Sequence, residues 1–149
     1  MTVAVRIVVV DDDLDFRLIV RAIVTPEADS IQVVGEAGDG EEGFAVVRRE
    51  RPDIVIADLI MPGLNGVELT RHIRNELPDT KIIIISSHTE DAYRLMASDS
   101  GADAFINKRV IARSLLPAIH DVMRRRFSGG NGSLPPTEGG SSACAVLPC

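Results

Sequence analysis

The sequence predicts an α/β fold in which a five-stranded parallel sheet is covered by helices on both faces. Short runs of β-branched residues recur along the chain. They are almost continuously apolar, as in strands that are buried on both faces. Segments in which apolar residues recur with helical spacing separate these runs. This alternation of strand and helix is typical of a doubly wound parallel sheet.

Five segments of the chain are predicted as strands. Three of them consist almost wholly of Val and Ile, and the other two are adjoining segments that complete the strand and helix alternation. In chain order the five are Ile7 to Val10, Ile31 to Val34, Ile54 to Ile56, Ile82 to Ile85 and Ala104 to Ile106.

Helices are predicted between the strands. One apolar stripe consists of Phe16, Ile19, Val20 and Ile23, and another of Leu69, Ile73 and Leu77. The last helix is expected to begin near Ala112 or Arg113 and to run to about Phe127, which places Pro117 in or near its first turn. Leu95 and Met96 are expected to lie in the core.

The chain of 149 residues suits a single folded unit. Residues 1–127 are predicted to form this domain. Residues 128–149 are rich in Gly, Ser and Pro and have almost no apolar periodicity, so we predict a disordered tail.

Composition excludes several function classes. A net charge of −6 and an aromatic content of 3% argue against a nucleic-acid binder. The apolar run near the N-terminus is interrupted by Arg6 and followed by Asp11, so it suits neither a signal peptide nor a membrane span. Both cysteines lie in the tail, at Cys144 and Cys149, and we therefore expect a reducing, cytoplasmic setting.

Polar residues stand at the carboxyl ends of four predicted strands. Ligands of open parallel sheets bind at this edge, where the strand order reverses. Any one of these residues alone would be an ordinary strand terminator, and their joint placement is what indicates a site. They are Asp11 and Asp12 after the first strand, Asp58 after the third, Ser86 after the fourth, and Asn107 and Lys108 after the fifth.

Three carboxylates at one sheet edge require compensation. At a separation of about 5 Å each pair repels by roughly 3 kcal/mol at an effective dielectric constant near 20. A hard divalent cation such as Mg²⁺ would offset this repulsion, and Lys108 would add a further positive charge. An aspartate oxygen beside such charges can attack a phosphoryl donor, because the charge that develops on the transferred group is stabilised.

Four motifs in this order resemble one family. They are "VVVDDD" at the end of the first strand, "DLIMPGLNG" from Asp58 to Gly66, Ser86 after "IIII", and "GADAFINK" from Gly101 to Lys108. From Val5 to about Phe127 the chain resembles the receiver domain of bacterial response regulators. The resemblance implies a flavodoxin-like receiver fold with strand order 2-1-3-4-5.

The resemblance also implies roles for individual residues. Asp58 would be the phosphoacceptor. Asp12 would bind Mg²⁺ (or Mn²⁺) directly, Asp11 would act through a metal-bound water, and the backbone carbonyl of Ile60 would complete the protein ligands. Lys108 would pair with the phosphoryl group.

Ser86 and Phe105 would form the switch, the hydroxyl moving towards the phosphoryl group and the ring turning inward. The face built from the fourth helix, fifth strand and fifth helix would then change shape and control a partner protein or pair in a homodimer. The implied donor is a phosphohistidine on a sensor histidine kinase or phosphotransfer protein. Such a protein catalyses its own modification and is not expected to be a turnover enzyme on a free substrate.

Two alternatives remain open at this point. One is a receiver-like interaction module that acts without phosphorylation, against which the complete set of Asp12, Asp58, Ser86 and Lys108 argues. The other is a phosphatase of the haloacid dehalogenase type, suggested by the spacing of Asp11 and Asp13. That motif requires Thr or Val where this chain has Asp15. No contact with nucleic acid or membrane is expected.

Overall fold

The computed structural model describes residues 4–88 and 90–125 and the backbone of residues 144–146. The strands are β1 (Val5–Val10), β2 (Ile31–Ala37), β3 (Ile54–Asp58), β4 (Lys81–Ser86), β5 (Ala104–Asn107) and β6 (Cys144–Val146). The helices are α1 (Leu14–Val24), α2 (Gly40–Glu50), α3 (Gly66–Glu76), α4 (Asp91–Ser100) and α5 (Ile111–Arg124). Short 3-10 turns span Thr25–Glu27 and Lys108–Val110.

The first five strands form a parallel sheet in the order β2-β1-β3-β4-β5. The predicted fold class and strand order are therefore confirmed. Because β1 and β3 are neighbours while β2 lies on the far side of β1, the strand order reverses between β1 and β3. The carboxyl ends of these two strands border the crevice in which doubly wound folds bind ligands.

Alternate residues of each central strand face opposite helical layers. Strand residues such as Val8, Val55 and Ile84 pack against α2, α3 and α4. Their neighbours in the chain, such as Ile7, Ile56 and Ile83, pack against α1 and α5. Both faces are buried, which explains why the strands are continuously apolar instead of alternating.

Side chains at the helix starts fix where three of the helices begin. Asp13 accepts hydrogen bonds from backbone N–H groups in the first turn of α1, and Asp39 accepts one from Glu42 in α2. Asn65 and Glu68 form a reciprocal capping box at the start of α3. These caps hold the loops that follow β1, β2 and β3, and two of those loops border the crevice.

Several details of the helices differ from the sequence-based expectations. Leu95 and Met96 were expected in the core and Ile19 in an apolar stripe, but the side chains of all three are substantially exposed. They lie on the outer faces of α1 and α4. The expectation was wrong because apolar character alone does not say which side of a helix meets the sheet. Helix α5 begins at Ile111, so Pro117 lies in its second turn.

The C-terminal segment contains one described element. Backbone hydrogen bonding places β6 antiparallel to β5, at the edge of the sheet. It is a strand within the segment predicted to be disordered. The remainder of that predicted tail and the expected helix end at Phe127 lie outside the described residues. Within the described part of the chain, no helix combines the length and the apolar character needed to cross a bilayer.

Candidate functional site

The predicted site residues from β1, β3 and the β5 end converge at the crevice. Lys108 Nζ lies 2.9 Å from Asp11 Oδ2 and 3.0 Å from Asp58 Oδ2. All three side chains are largely shielded from solvent, with exposed fractions of 16% for Lys108, 0% for Asp11 and 11% for Asp58. The structure thus brings one ammonium between two carboxylates from neighbouring strands.

The acidic loop after β1 is held by backbone and side-chain hydrogen bonds. The N–H of Asp11 donates to the carbonyl of Ala37 at 3.0 Å, and the N–H of Asp13 donates to Asp11 Oδ1 at 2.9 Å. Arg17 Nη1 donates to the carbonyl of Asp11 at 2.6 Å, while its Nε pairs with Glu36 on β2 at 3.0 Å. These bonds leave Asp11 Oδ2 directed at Lys108 and Asp12 exposed at the rim.

The electrostatic environment disfavours ionisation of Asp58. Burial and the negative charge of Asp11 raise the pKa of Asp58 to about 6. The hydrogen bond and charge of Lys108 and the hydrogen bond from the N–H of Ile60 act to lower the same pKa but do not outweigh burial. For Lys108, burial acts to lower the pKa, but its interactions with the carboxylates of Asp11 and Asp58 outweigh the effect of burial. The pKa of Lys108 therefore lies above its usual value.

The three carboxylates form a potential metal site. Asp11, Asp12 and Asp58 each offer a carboxylate oxygen, and these oxygens lie within 4.8 Å of one another. The buried Asp11 Oδ2 has its ion pair with Lys108 but no well-directed hydrogen bond among the described residues. An all-carboxylate set with spare acceptor capacity suits a hard divalent cation.

The predicted switch residues lie on β4 and β5, the two strands that follow β3 across the sheet. Ser86 ends β4 and is 1% exposed, and its Oγ accepts a hydrogen bond from the N–H of His88 at 2.9 Å. Phe105 in β5 is fully buried, with Arg94 Cζ of α4 lying 5.1 Å from the centre of its ring. Ile60 donates its N–H to Asp58 Oδ1 at 3.3 Å and exposes its side chain. The roles assigned to these three residues stay predictions.

Gly66 permits a close approach of α3 to the site. A Cβ at this position would lie 2.4 Å from the carbonyl oxygen of Asp58 and 2.9 Å from the Cα of Leu59. Both contacts are with backbone, which cannot rotate away as a side chain can.

We expect Gly66→Ala to lower the free energy of unfolding by about 2–3 kcal/mol, because α3 must shift to relieve the overlap. Urea unfolding will measure this loss. Gly38→Ala is the matched control, since its nearest side-chain atom would be an ordinary 3.6 Å away. Equal stability of the two variants would show that the approach at Gly66 is not tight.

A family model described as response regulator receiver domain matches residues 7–120. The chain belongs to the response regulator receiver domain family. It is thus a receiver domain of the two-component signalling type, and this membership decides against the phosphatase alternative.

Individual relatives of this receiver domain support the assignment. The response regulator protein VraR of Staphylococcus aureus is 32% identical over 120 residues, which cover 80% of this chain and 57% of VraR. A LuxR-family response regulator from Aurantimonas sp. has a TM-score of 0.77 at 34% identity, covering 82% of this chain and 86% of that one. The receiver domain of a putative NarL from Mycobacterium tuberculosis has a TM-score of 0.75 at 34% identity, covering 81% and 97%. The chain spans just over half the length of the curated relatives it matches.

Two residues of this receiver domain that contact the site were not singled out from the sequence. Phe16 was predicted only as part of an apolar stripe, yet Lys108 Nζ lies 4.3 Å from the centre of its ring. Arg17 donates a hydrogen bond to the Asp11 carbonyl, but its sequence context does not distinguish it from the other arginines of the chain. The available signal was their position in the first turn of the helix that follows the acidic loop.

Proposed function

We propose that this receiver domain accepts a phosphoryl group on Asp58 from a phosphohistidine of a sensor histidine kinase or a phosphotransfer protein. The observation that carries the proposal is the ammonium of Lys108 between Asp11 and Asp58, with Asp12 beside them at the crevice. A largely buried carboxylate within 3.0 Å of a fixed positive charge is suited to attack an anionic phosphorus centre.

The transfer exchanges one bond to phosphorus for another. An oxygen of Asp58 forms the new P–O bond while the P–N bond to the donor histidine breaks, and the bonding electrons leave with the imidazole nitrogen. Lys108 stabilises the negative charge on the equatorial oxygens of the transferred group. The product is an acyl phosphate on Asp58, so the protein is modified and does not turn over a free substrate.

Mg²⁺ (or Mn²⁺) is the proposed cofactor. Asp12, Asp58 and the backbone carbonyl of Ile60 would hold it directly, and Asp11 would act through a bound water. Bound there, the cation would supply charge neutralisation for the carboxylates and the phosphoryl oxygens. Asp12 is the exposed member of the set.

We expect Mg²⁺ to raise the free energy of unfolding, by about 2.7 kcal/mol at a hundredfold excess over its dissociation constant. Asp12→Asn should remove most of this gain, whereas Asp15→Asn, an exposed acid in the first turn of α1, should retain it. Melting curves in EDTA and in Mg²⁺ measure the difference. A gain of the same size in Asp12→Asn would contradict the proposed ligand set.

We propose that Ser86 and Phe105 couple phosphorylation of Asp58 to a change in the output surface. A phosphoryl group adds strong acceptors, and the Ser86 hydroxyl can donate to one of them while its oxygen keeps the bond from the His88 N–H. The loop that follows β4 would move together with Ser86. Its displacement would free space beside the buried ring of Phe105 and alter the face of α4, β5 and α5. That face is the proposed surface for a downstream protein.

Homodimer formation is a second use of this face. Leu95 and Met96 on α4 expose 62% and 45% of their surface, which gives this face apolar area that a second copy could cover. Sedimentation velocity with and without beryllofluoride tests this use. A single monomeric species under both conditions would argue for a different partner.

The function itself is tested by intact mass after incubation with acetyl phosphate. The protein should gain the mass of one phosphoryl group in Mg²⁺ and none in EDTA. Because acyl phosphates are labile, a change in amide chemical shifts on adding beryllofluoride serves as an independent measure. Absence of both responses would favour an interaction module that acts without phosphorylation.

A further inference from the structure

Among the described residues, two carboxylates and one aromatic ring lie beside the ammonium of Lys108. The carboxylates are those of Asp11 and Asp58, at 2.9 and 3.0 Å. The ring is that of Phe16, whose centre lies 4.3 Å from Nζ. This separation is well inside the range of about 6 Å over which the negative face of an aromatic ring attracts a cation.

We propose that Phe16 is a positioning residue for phosphoryl transfer, and that its ring holds the Lys108 ammonium in place at the crevice through a cation–π interaction. The inference rests on the proposed function and extends it to a residue outside the acidic cluster. Phe16 touches neither the phosphoryl group nor the carboxylates in this scheme. It acts only through Lys108.

The ring is a fixed platform. Phe16 lies in the first turn of α1 and is 7% exposed, packed in the core cluster with Val20 and Val24 of the same helix. Asp13 caps the start of this helix and so fixes the position of the ring relative to the acidic loop. Because Phe16 cannot move far, it limits how far the Lys108 side chain can swing.

The ring contact complements the two ion pairs. Asp11 and Asp58 attract the ammonium through their negative charges, and the charge at Asp58 moves outward onto the phosphoryl oxygens when the acyl phosphate forms. The face of a phenyl ring attracts a cation regardless of what happens to those carboxylates. Phe16 would therefore help to hold Lys108 beside Asp11 while the negative charge opposite the ammonium moves from the Asp58 carboxylate to the phosphoryl oxygens.

Ring fluorination tests the electrostatic part of the proposal at nearly constant shape. Phenylalanines with one, two and three ring fluorines are introduced at position 16 of the full chain by genetic code expansion. Fluorine withdraws electron density from the ring face, so the maximal rate of phosphorylation by acetyl phosphate in Mg²⁺ should fall progressively. We expect a total decrease of about tenfold, with little change in the acetyl phosphate concentration that gives half the maximal rate.

Phe44 supplies the matched control. Its partly buried ring on α2 also lies near a cation, with Arg48 Cζ 5.4 Å from the ring centre, but it is not part of the crevice. The same fluorinated series at position 44 should leave the rate unchanged. Phe16→Leu should match the most fluorinated ring, and Phe16→Tyr, which keeps an electron-rich face, should restore most of the rate. Melting temperatures identify any variant whose folding is compromised.

The outcomes separate this inference from the proposed function. Normal phosphorylation of the unmodified protein with a rate that does not respond to fluorine at position 16 would overturn the role of Phe16 alone. An equal response at position 44 would overturn it too. No adduct on the unmodified protein would contradict the proposed function and the inference together.

Discussion

Asp58→Asn should abolish the phosphoryl adduct, with a decrease of at least about 100-fold in the amount formed under matched conditions. The amide oxygen of Asn carries no negative charge and is a poor nucleophile, while its size and position match those of the carboxylate. The substitution therefore removes the chemistry and leaves the packing of β3 in place. Intact mass after incubation with acetyl phosphate and Mg²⁺ measures the adduct.

Asp99→Asn is the control for this experiment. Asp99 is an exposed residue near the C-terminal end of α4, and its replacement makes the same change in charge. It should be phosphorylated like the unmodified protein. A comparable adduct in Asp58→Asn would place the phosphoryl group on another residue.

The second large effect is expected for the stability of Lys108→Met in the absence of metal. Met fills a similar volume but leaves Asp11 and Asp58 facing each other without the ammonium. At pH 8 we expect a loss of about 2–3 kcal/mol in the free energy of unfolding. This loss is smaller than is usual when one partner of a buried ion pair is removed, because the crevice is partly open to solvent.

This loss should depend on pH in a definite direction. The pKa of Asp58 is about 6 in the folded protein and 3.8 as its ordinary value, so protonated Asp58 favours the fold. The resulting stability is fully present below pH 3.8 and is lost as the pH rises through about 6. Removing Lys108 takes away interactions that lower this pKa, so the gap between variant and unmodified protein should widen from pH 4 to pH 8.

Urea unfolding in EDTA across this pH range measures the gap, and Lys81→Met is the control. Lys81 begins β4 at the opposite end of the sheet, so its replacement should cost little and show no such pH dependence. A Lys108→Met loss that is the same at pH 4 and pH 8 would mean that the charge of Asp58 is not what the ammonium compensates.

The sheet and the acidic cluster were predictable from the sequence for one physical reason. Strands buried on both faces are continuously apolar, so the first polar residue marks the strand end. In a parallel sheet these ends share one edge. The sequence alone therefore predicts that Asp11, Asp58 and Lys108 lie close together, although they are up to 97 positions apart in the chain.

Contacts that depend on side-chain direction could not be predicted in this way. Helical spacing identified Phe16 as apolar but did not show that its ring meets Lys108. Leu95 and Met96 look like core residues by composition, and only the packing of α4 shows that they face outward. The pairing of β6 with β5 joins two segments whose local sequence gives no sign of each other.

Asp58 is the proposed site of phosphorylation, and borohydride trapping tests this assignment most directly. Reduction of the acetyl phosphate-treated protein converts an aspartyl phosphate to homoserine, which peptide mass spectrometry locates in the chain. We expect homoserine at position 58 and at neither position 11 nor position 12. Homoserine at position 11 or 12, or an acid-stable phosphate on a hydroxyl residue such as Ser86, would contradict it.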